Sequence, residues 1–548
     1  MGNVHLFDWD EINFAESARE MLETDNYFQI QINYEPFWEK PPFFFWLQVL
    51  SMKFFGINEF AARFPNALIG IISLVTLYSI GKKLFNEKFG MIWALIYLAS
   101  FLPHLYFKSG IIDPIFNFFI FLSVYYLARN LSENSINKGK NALLSGIFIG
   151  LAIITKGPVG LLLLILSFIV FLIVKKVKVK MRVKDILILA FSSFLVTFLW
   201  FGYETITNSP WFILEFIQYQ IELFTVPVAG HEQPFYYHFL VVLLGCFPMS
   251  ILALPMFKKL GEKIPLDFML WMKILFWVVM ILFTIVKTKI VHYSSMSYLP
   301  LSFMAAYFLY QLSEKDRKIS KTVKSLFLII GLIFSSLLII TPILFFQKET
   351  LKSLIKDDFA VASLSVEMGW QGWEFILGFI YLVAVIISFI YLNRGKITRF
   401  IYFISISTGT TLLLYSVFVV PKIEKFSQGP AIEFYQSIEK EDCYVTTIGF
   451  KSYAHLFYTK LKVNKETDGI YLLRLEYKNS LKSNENMNMD ALKNKTIQWL
   501  LNGDIDKKTY FVTKTTHRKE MESYKDLVLL KTKGGFDFYY RTPKLTEK

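Results

Sequence analysis

Charged side chains are scarce in this chain of 548 residues. Asp, Glu, Lys and Arg make up only 19% of it, whereas hydrophobic residues make up 54% and aromatic residues 18%. Soluble domains are about a quarter charged. No charged side chain occurs between Val159 and Val174, and the stretches 325–347 and 400–421 are equally bare. Segments of this length can cross a hydrocarbon core about 30 Å thick. The composition excludes a soluble or disordered protein and predicts a membrane protein with many spans.

Cysteine is nearly absent as well. Cys246 falls in an apolar stretch and Cys443 in the C-terminal tail, so they indicate neither a disulfide framework nor a redox centre. The seven histidines form no i,i+4 pair and no Cys/His ligand spacing. The chain also has no glycine-rich phosphate loop that opens a helix after a strand, and no Gly-x-Ser-x-Gly elbow. The sequence therefore predicts no metal site and no activated serine nucleophile.

The apolar stretches predict twelve membrane-spanning helices. They lie at about 63–84, 88–106, 109–130, 141–156, 158–175, 184–204, 234–256, 267–286, 290–311, 322–346, 374–393 and 398–420. Basic residues concentrate in alternate connections, such as the run from Lys175 to Lys184. Because cytoplasmic loops carry this excess of Lys and Arg, topology explains the surplus of 58 basic over 44 acidic residues.

This orientation divides the chain into three parts. Residues 1–62 form a first loop opposite the cytoplasm, 63–420 a transmembrane helical domain, and 421–548 a tail on the same side as the first loop. The loop 205–233 lies there too. Because nothing in the sequence precedes 1–62 to carry it across the membrane, we also expect a thirteenth span upstream of Met1.

The tail has a different character from the apolar spans. Short β-branched runs occur near Cys443–Ile448, Thr509–Thr513 and Leu527–Leu530, with polar and helical stretches between them. This alternation is typical of a small α/β domain. The predicted fold class is therefore a polytopic α-helical membrane protein with a small C-terminal α/β domain.

The first loop opens with acidic residues and an amphipathic helix. Apolar residues at positions 12, 15, 18 and 22 would share one face, and such a helix is expected to lie on the membrane surface. The other face carries Glu16, Arg19, Glu20 and Glu23. Asp8 and Glu11 resemble a capping box, and Asp10 is also favourable near a helix start. These acids are therefore either capping residues or functional ones.

A second polar motif follows in the same loop. Glu39 and Lys40 precede Pro41 and Pro42, which fix the backbone direction, and then the apolar run Phe43–Leu50. Lys40 would stand at the start of a second helix that lies on the membrane. It is either an interfacial lysine that reaches water or a ligand for an anion.

Further polar residues interrupt apolar stretches on the same side of the membrane. Asp113 opens an otherwise apolar span, Lys156 stands in a tight turn, and Lys289 and Tyr293 stand in another turn. Ionisable groups at a bilayer boundary suggest function, although turn lysines can also simply reach water. Because these groups share a side with the acidic first loop, we predict a functional site there.

These motifs together identify a resemblance to a known family. The relevant runs are Asp10-Glu11 with Ala18-Arg19-Glu20-Met21-Leu22, Glu39-Lys40-Pro41-Pro42, Gly56–Arg63 and Thr155-Lys156-Gly157-Pro158. They resemble the ArnT-type GT-C glycosyltransferases, bacterial relatives of the protein O-mannosyltransferases that include the aminoarabinose transferase of lipid A. The resemblance implies the GT-C fold, with thirteen spans and a periplasmic C-terminal domain.

The resemblance also implies roles for individual residues. Asp10 is implied as the catalytic or acceptor-positioning acid, Asp113 as its support, and Lys40 as a contact of the carrier phosphate. The substrate-binding residues are implied to be Glu11, Glu39, Lys40, Lys156, Lys289 and Tyr293. The chain departs from the aminoarabinose transferase at Asn13 and Phe14, where that enzyme has a basic residue and a tyrosine, and at Phe37. These departures leave the sugar and the acceptor open.

The function implied is that of an inverting glycosyltransferase of the bacterial inner membrane. It would move a sugar from a polyprenyl-phosphate carrier to a lipid, glycan or protein acceptor on the periplasmic side, and nucleic acid is not an expected partner. No cofactor is expected to be required, and a role for a divalent cation stays open. One alternative is a multi-span transporter or flippase of lipid-linked or anionic substrates, with the same lysines along its pathway. Another is a non-catalytic scaffold that displays the tail domain.

Overall fold

Long apolar helices form the body of the structure, a computed structural model. It describes residues 1–7, 9–37, 39–133, 135–177, 181–208, 211–225, 232–258, 264–314, 319–480 and 489–543. The helices before and within the body are α1 (Asp10–Thr24), α2 (Phe43–Phe55), α3 (Glu59–Leu84), α4 (Glu87–Leu98), α5 (Phe101–Tyr106), α6 (Asp113–Leu131), α7 (Lys138–Lys156), α8 (Val159–Val174), α9 (Val183–Asn208), α10 (Trp211–Thr225), α11 (Tyr237–Gly245), α12 (Met249–Lys258), α13 (Phe268–Ile285), α14 (Tyr298–Glu314), α15 (Lys321–Phe346), α16 (Lys348–Leu354), α17 (Asp358–Ser363), α18 (Phe375–Asn393) and α19 (Ile397–Phe418).

Helices occupy all twelve predicted span positions, although not always as single rods. Seven of the described helices are long and apolar enough to cross a membrane, and eight if α11 and α12 count as one span. These two helices are bent by 116° at the break between them. The predicted span at 290–311 begins as a short 3-10 helix, Val291–Ser297, before α14. The predicted polytopic helical fold is confirmed, while the count of twelve spans stays a prediction.

Helix α6 lies at the centre of the body, where nearly all of its side chains are buried. It packs against α3, α7, α8 and α13. A helix that is apolar all round is expected to be buried on all sides. Pro114 occupies its second position, where the missing N–H has no partner inside the helix. This placement fixes Asp113, the first residue of α6, at one end of the packed core.

The C-terminal domain contains the predicted sheet and one more strand. Its helices and strands are α20 (Val420–Ser427), α21 (Gly429–Ser437), β3 (Cys443–Ile448), α22 (Ala454–Thr459), α23 (Gly469–Ser480), α24 (Met489–Asn502), β4 (Lys508–Lys514), α25 (Arg518–Met521), β5 (Val528–Lys533) and β6 (Phe536–Arg541), while β1 (Gln31–Ile32) and β2 (Glu35–Pro36) belong to the first loop. The strand order is β3-β4-β6-β5, with β3 parallel to β4 and the other pairs antiparallel. The three predicted strand regions are confirmed, and β6 was not predicted.

Helix α1 lies between the helical body and the C-terminal domain. It packs on α2 on one side and on α22 on the other. Its polar face, which the sequence placed toward water, is buried: Glu16 and Glu20 are 0% exposed and Arg19 2%. Arg19 donates two hydrogen bonds to Glu16, at 2.8 and 2.7 Å. The C-terminal domain therefore covers the face that carries the charges, while the position of α1 on the membrane surface stays a prediction.

Buried Glu20 stabilises the β1–β2 turn of the first loop. Asn33 and Tyr34 form this two-residue turn with φ of 57° and 59°, as a type I′ hairpin requires. Their backbone N–H groups donate to the two oxygens of Glu20, at 2.5 and 2.8 Å. Burial and the nearby Glu16 carboxylate raise the pKa of Glu20 well above its usual range. The acidic face of α1 thus organises the loop that follows it.

Arg63 of α3 connects the N-terminal segment to the helical body. Its guanidinium donates to both oxygens of Glu11, each at 2.8 Å, and to the carbonyls of Val4 and His5 at 2.6 and 2.8 Å. Both charged side chains are almost fully buried. The contact of the fork-shaped guanidinium with a carboxylate is bidentate, the strong form of this ion pair. It fixes the position at which α1 begins.

We expect Arg63→Ala to lower the free energy of unfolding by about 3–5 kcal/mol, because the Glu11 carboxylate would stay buried without its cation. The measurement is the thermal midpoint of the purified protein in detergent. Lys82→Ala is the control, since it removes an exposed lysine paired with Glu87 and exposed pairs contribute little. An Arg63→Ala protein with the same thermal midpoint as the wild type would contradict the stabilising role of the Arg63–Glu11 ion pair.

Candidate active site

A cavity opens between the first loop and the ends of the packed helices. Much of its wall is apolar and includes Phe116, Leu163 and Phe283. Six of the eight predicted site residues line it, namely Asp10, Glu39, Lys40, Asp113, Lys156 and Tyr293. They come from the first loop, α6, the end of α7 and the segment before α14. Residues far apart in sequence therefore meet in one cavity.

Asp113 and Lys156 form an ion pair in the cavity wall. The Lys156 Nζ donates to Asp113 Oδ1 at 2.6 Å, and the two side chains are 14% and 6% exposed. Lys156 is the last residue of α7, and Gly157 after it has φ of +97°. A Cβ on Gly157 would lie 2.8 Å from the Phe216 ring. A glycine is therefore required at this turn, both by its backbone conformation and by its packing.

His292 lies between the carboxylates of Asp10 and Asp113. Its Nε2 is 3.5 Å from Asp10 Oδ2 and 3.9 Å from Asp113 Oδ2. Asn117 of α6 donates to the Ser295 hydroxyl at 2.7 Å, and that hydroxyl donates to the His292 carbonyl. The backbone of His292 is thereby fixed against α6. At these distances the imidazole is within ion-pair range of both carboxylates and makes a hydrogen bond to neither.

Glu39, Lys40 and Tyr219 form the opposite part of the wall. The Tyr219 hydroxyl donates to Glu39 Oε2 at 2.9 Å, and burial together with the Glu39 carboxylate raises the pKa of Tyr219 above its usual range. The Lys40 amine lies 5.4 Å from the centre of the Tyr219 ring. Among the described residues, Lys40 makes no ion pair. It is the lysine of the cavity best placed to take an external anion.

Two predicted site residues do not line the cavity. Glu11 accepts hydrogen bonds from Arg63, from the Phe7 N–H and from the Gly110 N–H, so both of its oxygens are used inside the protein. Thr288 and Ile290 line the cavity, whereas Lys289 between them does not and is 8% exposed. Glu11 therefore has a structural role here, and its predicted contact with substrate stays a prediction.

The structure adds two residues that the sequence did not single out, His292 and Tyr219. Histidine spacing gave no signal, although His292 adjoins Tyr293, which was singled out. Tyr219 lies in α10, within the predicted loop 205–233, and carried no motif. These two side chains lie near Asp10, Asp113 and Glu39 because helices that are far apart in sequence pack against one another.

Capping and cavity placement are compatible for Asp10. Helix α1 begins at Asp10, after Trp9, whose side chain makes no cap hydrogen bond. An acid at this position is favourable to the helix dipole, and the Asp10 side chain is 34% exposed in the cavity. Asp8, which with Glu11 forms the predicted capping box, lies outside the described residues. In the part of the chain that the structure describes, no group of three or more His, Cys, Asp or Glu could hold a metal ion.

The fold is that of an ArnT-type GT-C glycosyltransferase. The chain matches the crystal structure of ArnT from Cupriavidus metallidurans bound to undecaprenyl phosphate, with a TM-score of 0.76 at 16% identity. The match covers 98% of this chain and 94% of that one. The apo state of the same protein matches with a TM-score of 0.74 at 15% identity and the same coverage.

Sequence comparisons find similarity to the same group of proteins. Residues 39–201 match the family described as dolichyl-phosphate-mannose-protein mannosyltransferase. The undecaprenyl phosphate-alpha-4-amino-4-deoxy-L-arabinose arabinosyl transferase of Wigglesworthia glossinidia brevipalpis is 30% identical over 355 residues, which are 62% of this chain and 60% of the relative. Arabinosyl transferase 1 of Proteus mirabilis is 27% identical over 347 residues, 60% of each chain. The matched part thus spans about 60% of the length of these relatives. The resemblance predicted from the motifs is confirmed.

A double-mutant cycle should detect the Asp113–Lys156 pair. We expect Lys156→Met to lower the free energy of unfolding by about 3 kcal/mol, because it leaves a buried carboxylate unpaired. Asp113→Asn together with Lys156→Met should recover about 1–3 kcal/mol of that loss. The matched control is Lys88→Met with Glu314→Gln, which removes an ion pair with both side chains more than 40% exposed and should show additive effects. Additivity at Asp113 and Lys156 would argue against the pair.

Proposed function

We propose that this protein is an inverting glycosyltransferase that moves a sugar from a polyprenyl-phosphate carrier to an acceptor of the cell envelope. The observation that carries the proposal is the meeting of Asp10, Asp113, His292 and Lys40 in one cavity with apolar walls. The fold shared with ArnT and the names of the relatives support it. The reaction would take place at the periplasmic face of the inner membrane. The basic loops, which are expected to be cytoplasmic, alternate along the chain with the loops that build the cavity.

The donor class follows from the cavity and the relatives together. The relatives carry undecaprenyl phosphate in their names, and the solved structure of ArnT was determined with undecaprenyl phosphate bound. Phe116, Leu163 and Phe283 offer apolar surface beside the cationic Lys40, which suits a prenyl chain with a phosphate head. Phe14, where the chain departs from the aminoarabinose transferase, also lies in the wall. The proposed donor is therefore a sugar linked to polyprenyl phosphate, and the identity of the sugar stays open.

The proposed step exchanges one carbon–oxygen bond for another. The acceptor hydroxyl oxygen attacks the anomeric carbon on the face opposite the phosphate, and the bond from that carbon to the phosphate oxygen breaks. The electron pair stays on the phosphate, which leaves as polyprenyl phosphate, and the acceptor proton passes to the Asp10 carboxylate. Attack from the opposite face inverts the anomeric configuration, through an oxocarbenium-like transition state. A base in this position typically contributes about 10²–10⁴-fold to the rate.

Lys40 is proposed to stabilise the charge that develops on the leaving phosphate. The donor carries one negative charge as a phosphodiester, and the product carries about one more, so a cation at that oxygen favours the transition state. Lys156 is assigned to Asp113 instead, because the two are paired. Asp113 and His292 position the Asp10 carboxylate. The steps use only side chains of the chain, so we propose no cofactor.

Transport is the less supported function. A transporter pathway would place ionisable groups along the route through the membrane, whereas Asp10, Lys40, Asp113 and Lys156 share one cavity. The arabinosyl transferase relatives are named as enzymes, not as carriers.

Deletion of the gene should remove one sugar adduct from an envelope component and raise the level of one polyprenyl-phosphate sugar, both measured by mass spectrometry. A plasmid copy with Asp10→Asn should fail to restore the adduct, and one with Lys40→Ala should restore little of it, because proton transfer and charge stabilisation are lost. The matched controls are Asp25→Asn, just after α1, and exposed Lys83→Ala at the end of α3. Near-normal restoration by both site variants would refute the assignment.

His292→Ala should slow sugar transfer by about 10²-fold, because the two carboxylates would lose the imidazole between them. The Michaelis constant for the donor should change little. His292→Gln should recover part of the rate, since an amide can still donate a hydrogen bond to Asp10. Half-buried His517 of the C-terminal domain, far from the cavity in sequence, provides the control variant His517→Ala. Equal rates for His292→Ala and the control would show that the imidazole has no part in the reaction. The rates are measured in membranes from the complemented deletion strain.

A further inference from the structure

A second cavity lies beside the first, between the β1–β2 turn and the C-terminal domain. Glu39 and Tyr219 line both cavities, and the 2.9 Å hydrogen bond between them stands where the two cavities adjoin. The far wall consists of the end of β3, the loop after it, α22, α23 and α24. The proposed sugar transfer uses none of the residues in this far wall.

Trp9 provides a second connection between the two cavities. It lines the first cavity and directly precedes Asp10. Its ring lies 4.1 Å from the Lys451 amine and 5.2 Å from the Tyr453 ring, and both of these residues line the second cavity. A molecule in the second cavity would therefore be close to the acid that is proposed to take the acceptor proton.

The second cavity has a positive wall. Lys451, Arg474 and Lys493 line it, against the carboxylates of Glu35 and Glu39. The Glu35 carboxylate pairs with Lys478 at 2.6 Å and the Glu39 carboxylate accepts from Tyr219, so both acids already have partners inside the protein. Lys493 is exposed on α24. The balance of charge in this cavity favours an anion.

The second cavity also offers many hydrogen-bonding groups. Thr446, Thr447, Ser452 and Thr496 line it with hydroxyls. His455 lines it as well, and its Nδ1 is buried without a hydrogen-bond partner among the described residues. Burial and the nearby Lys493 lower the pKa of His455 to about 4, so this ring is neutral at pH 7.

We propose that the second cavity binds the acceptor through an anionic, hydroxyl-rich saccharide group. This inference rests on the proposed glycosyl transfer, because it assigns the acceptor of that reaction. Cationic side chains would bind the phosphate or carboxylate of the saccharide, and the hydroxyls and His455 would bind its ring hydroxyls. The reacting hydroxyl would reach Asp10 past Trp9, while the donor occupies the first cavity. The C-terminal domain is then part of the binding site.

Binding to the purified full-length protein is measured by calorimetry with glucose 1-phosphate, glucose and inorganic phosphate as probes. We expect glucose 1-phosphate to bind more tightly than glucose or inorganic phosphate. Lys493→Glu should weaken its binding about 10- to 100-fold, the range of one charge-assisted hydrogen bond. Lys495→Glu is the matched control, since it makes the same charge change two positions further along α24 but does not line the cavity. Thermal midpoints and undecaprenyl phosphate binding should be unchanged in both variants.

Transfer assays then distinguish the source of the saccharide. Lipid and water-soluble extracts of the deletion strain are offered as acceptors, and glycosylation of one of them shows whether the saccharide is lipid-anchored or free. In either case Lys493→Glu should raise the Michaelis constant for the acceptor and leave that for the donor unchanged. Equal behaviour of the Lys493→Glu and Lys495→Glu variants in binding and transfer would overturn the proposed cavity while the glycosyltransferase function stands. Failure of the wild type to glycosylate either extract would overturn the proposed function and the acceptor role together, whatever the probes bind.

Discussion

Burial of an unpaired charge in apolar surroundings costs free energy because the charge loses its hydration, and this cost constrains the whole of the structure. Two ion pairs satisfy this constraint where the first loop meets the helical body, one between Glu11 and Arg63 and one between Asp113 and Lys156. The first pair fixes where α1 begins and so places Asp10 at the edge of the cavity. The second fixes the ends of α6 and α7 against each other. The cavity lies between these two ion pairs.

The same constraint explains how much of the protein could be predicted from its sequence. Apolar stretches without charge are expected to be buried or lipid-facing helices, so the helical body was predicted from hydropathy. Three of the four strands of the tail were predicted from β-branched runs. The first-loop motifs led to Asp10 and Lys40 because an acid or an amine beside an apolar run is costly unless it serves a function. The burial of the charged face of α1 was not predicted, since no local pattern shows that a domain at the far end of the chain covers Arg19 and the acids beside it.

The details of the site depended on packing that no short segment encodes. Glu11 and Asp10 are neighbours in sequence, but successive residues of a helix point about 100° apart, so one meets Arg63 and the other the cavity. Thr288 and Ile290 likewise line the cavity while Lys289 does not. His292 acquires its position from Asn117, which reaches it through Ser295 from a helix far away in sequence. Tertiary contacts therefore determine which of these side chains reach the cavity.

The division of charges inside the cavity has a chemical consequence. Lys156 is already neutralised by Asp113, so it adds little at a phosphate whose charge increases during the reaction. The Glu39 carboxylate accepts a hydrogen bond from the neutral hydroxyl of Tyr219. Among the described residues it forms no ion pair with Lys40, although the two residues are adjacent in sequence. Lys40, over the ring of Tyr219, is thus left to respond to an incoming anion. A cation that no neighbouring carboxylate neutralises gains the most when negative charge develops beside it, which is the condition for stabilising a transition state more than a ground state.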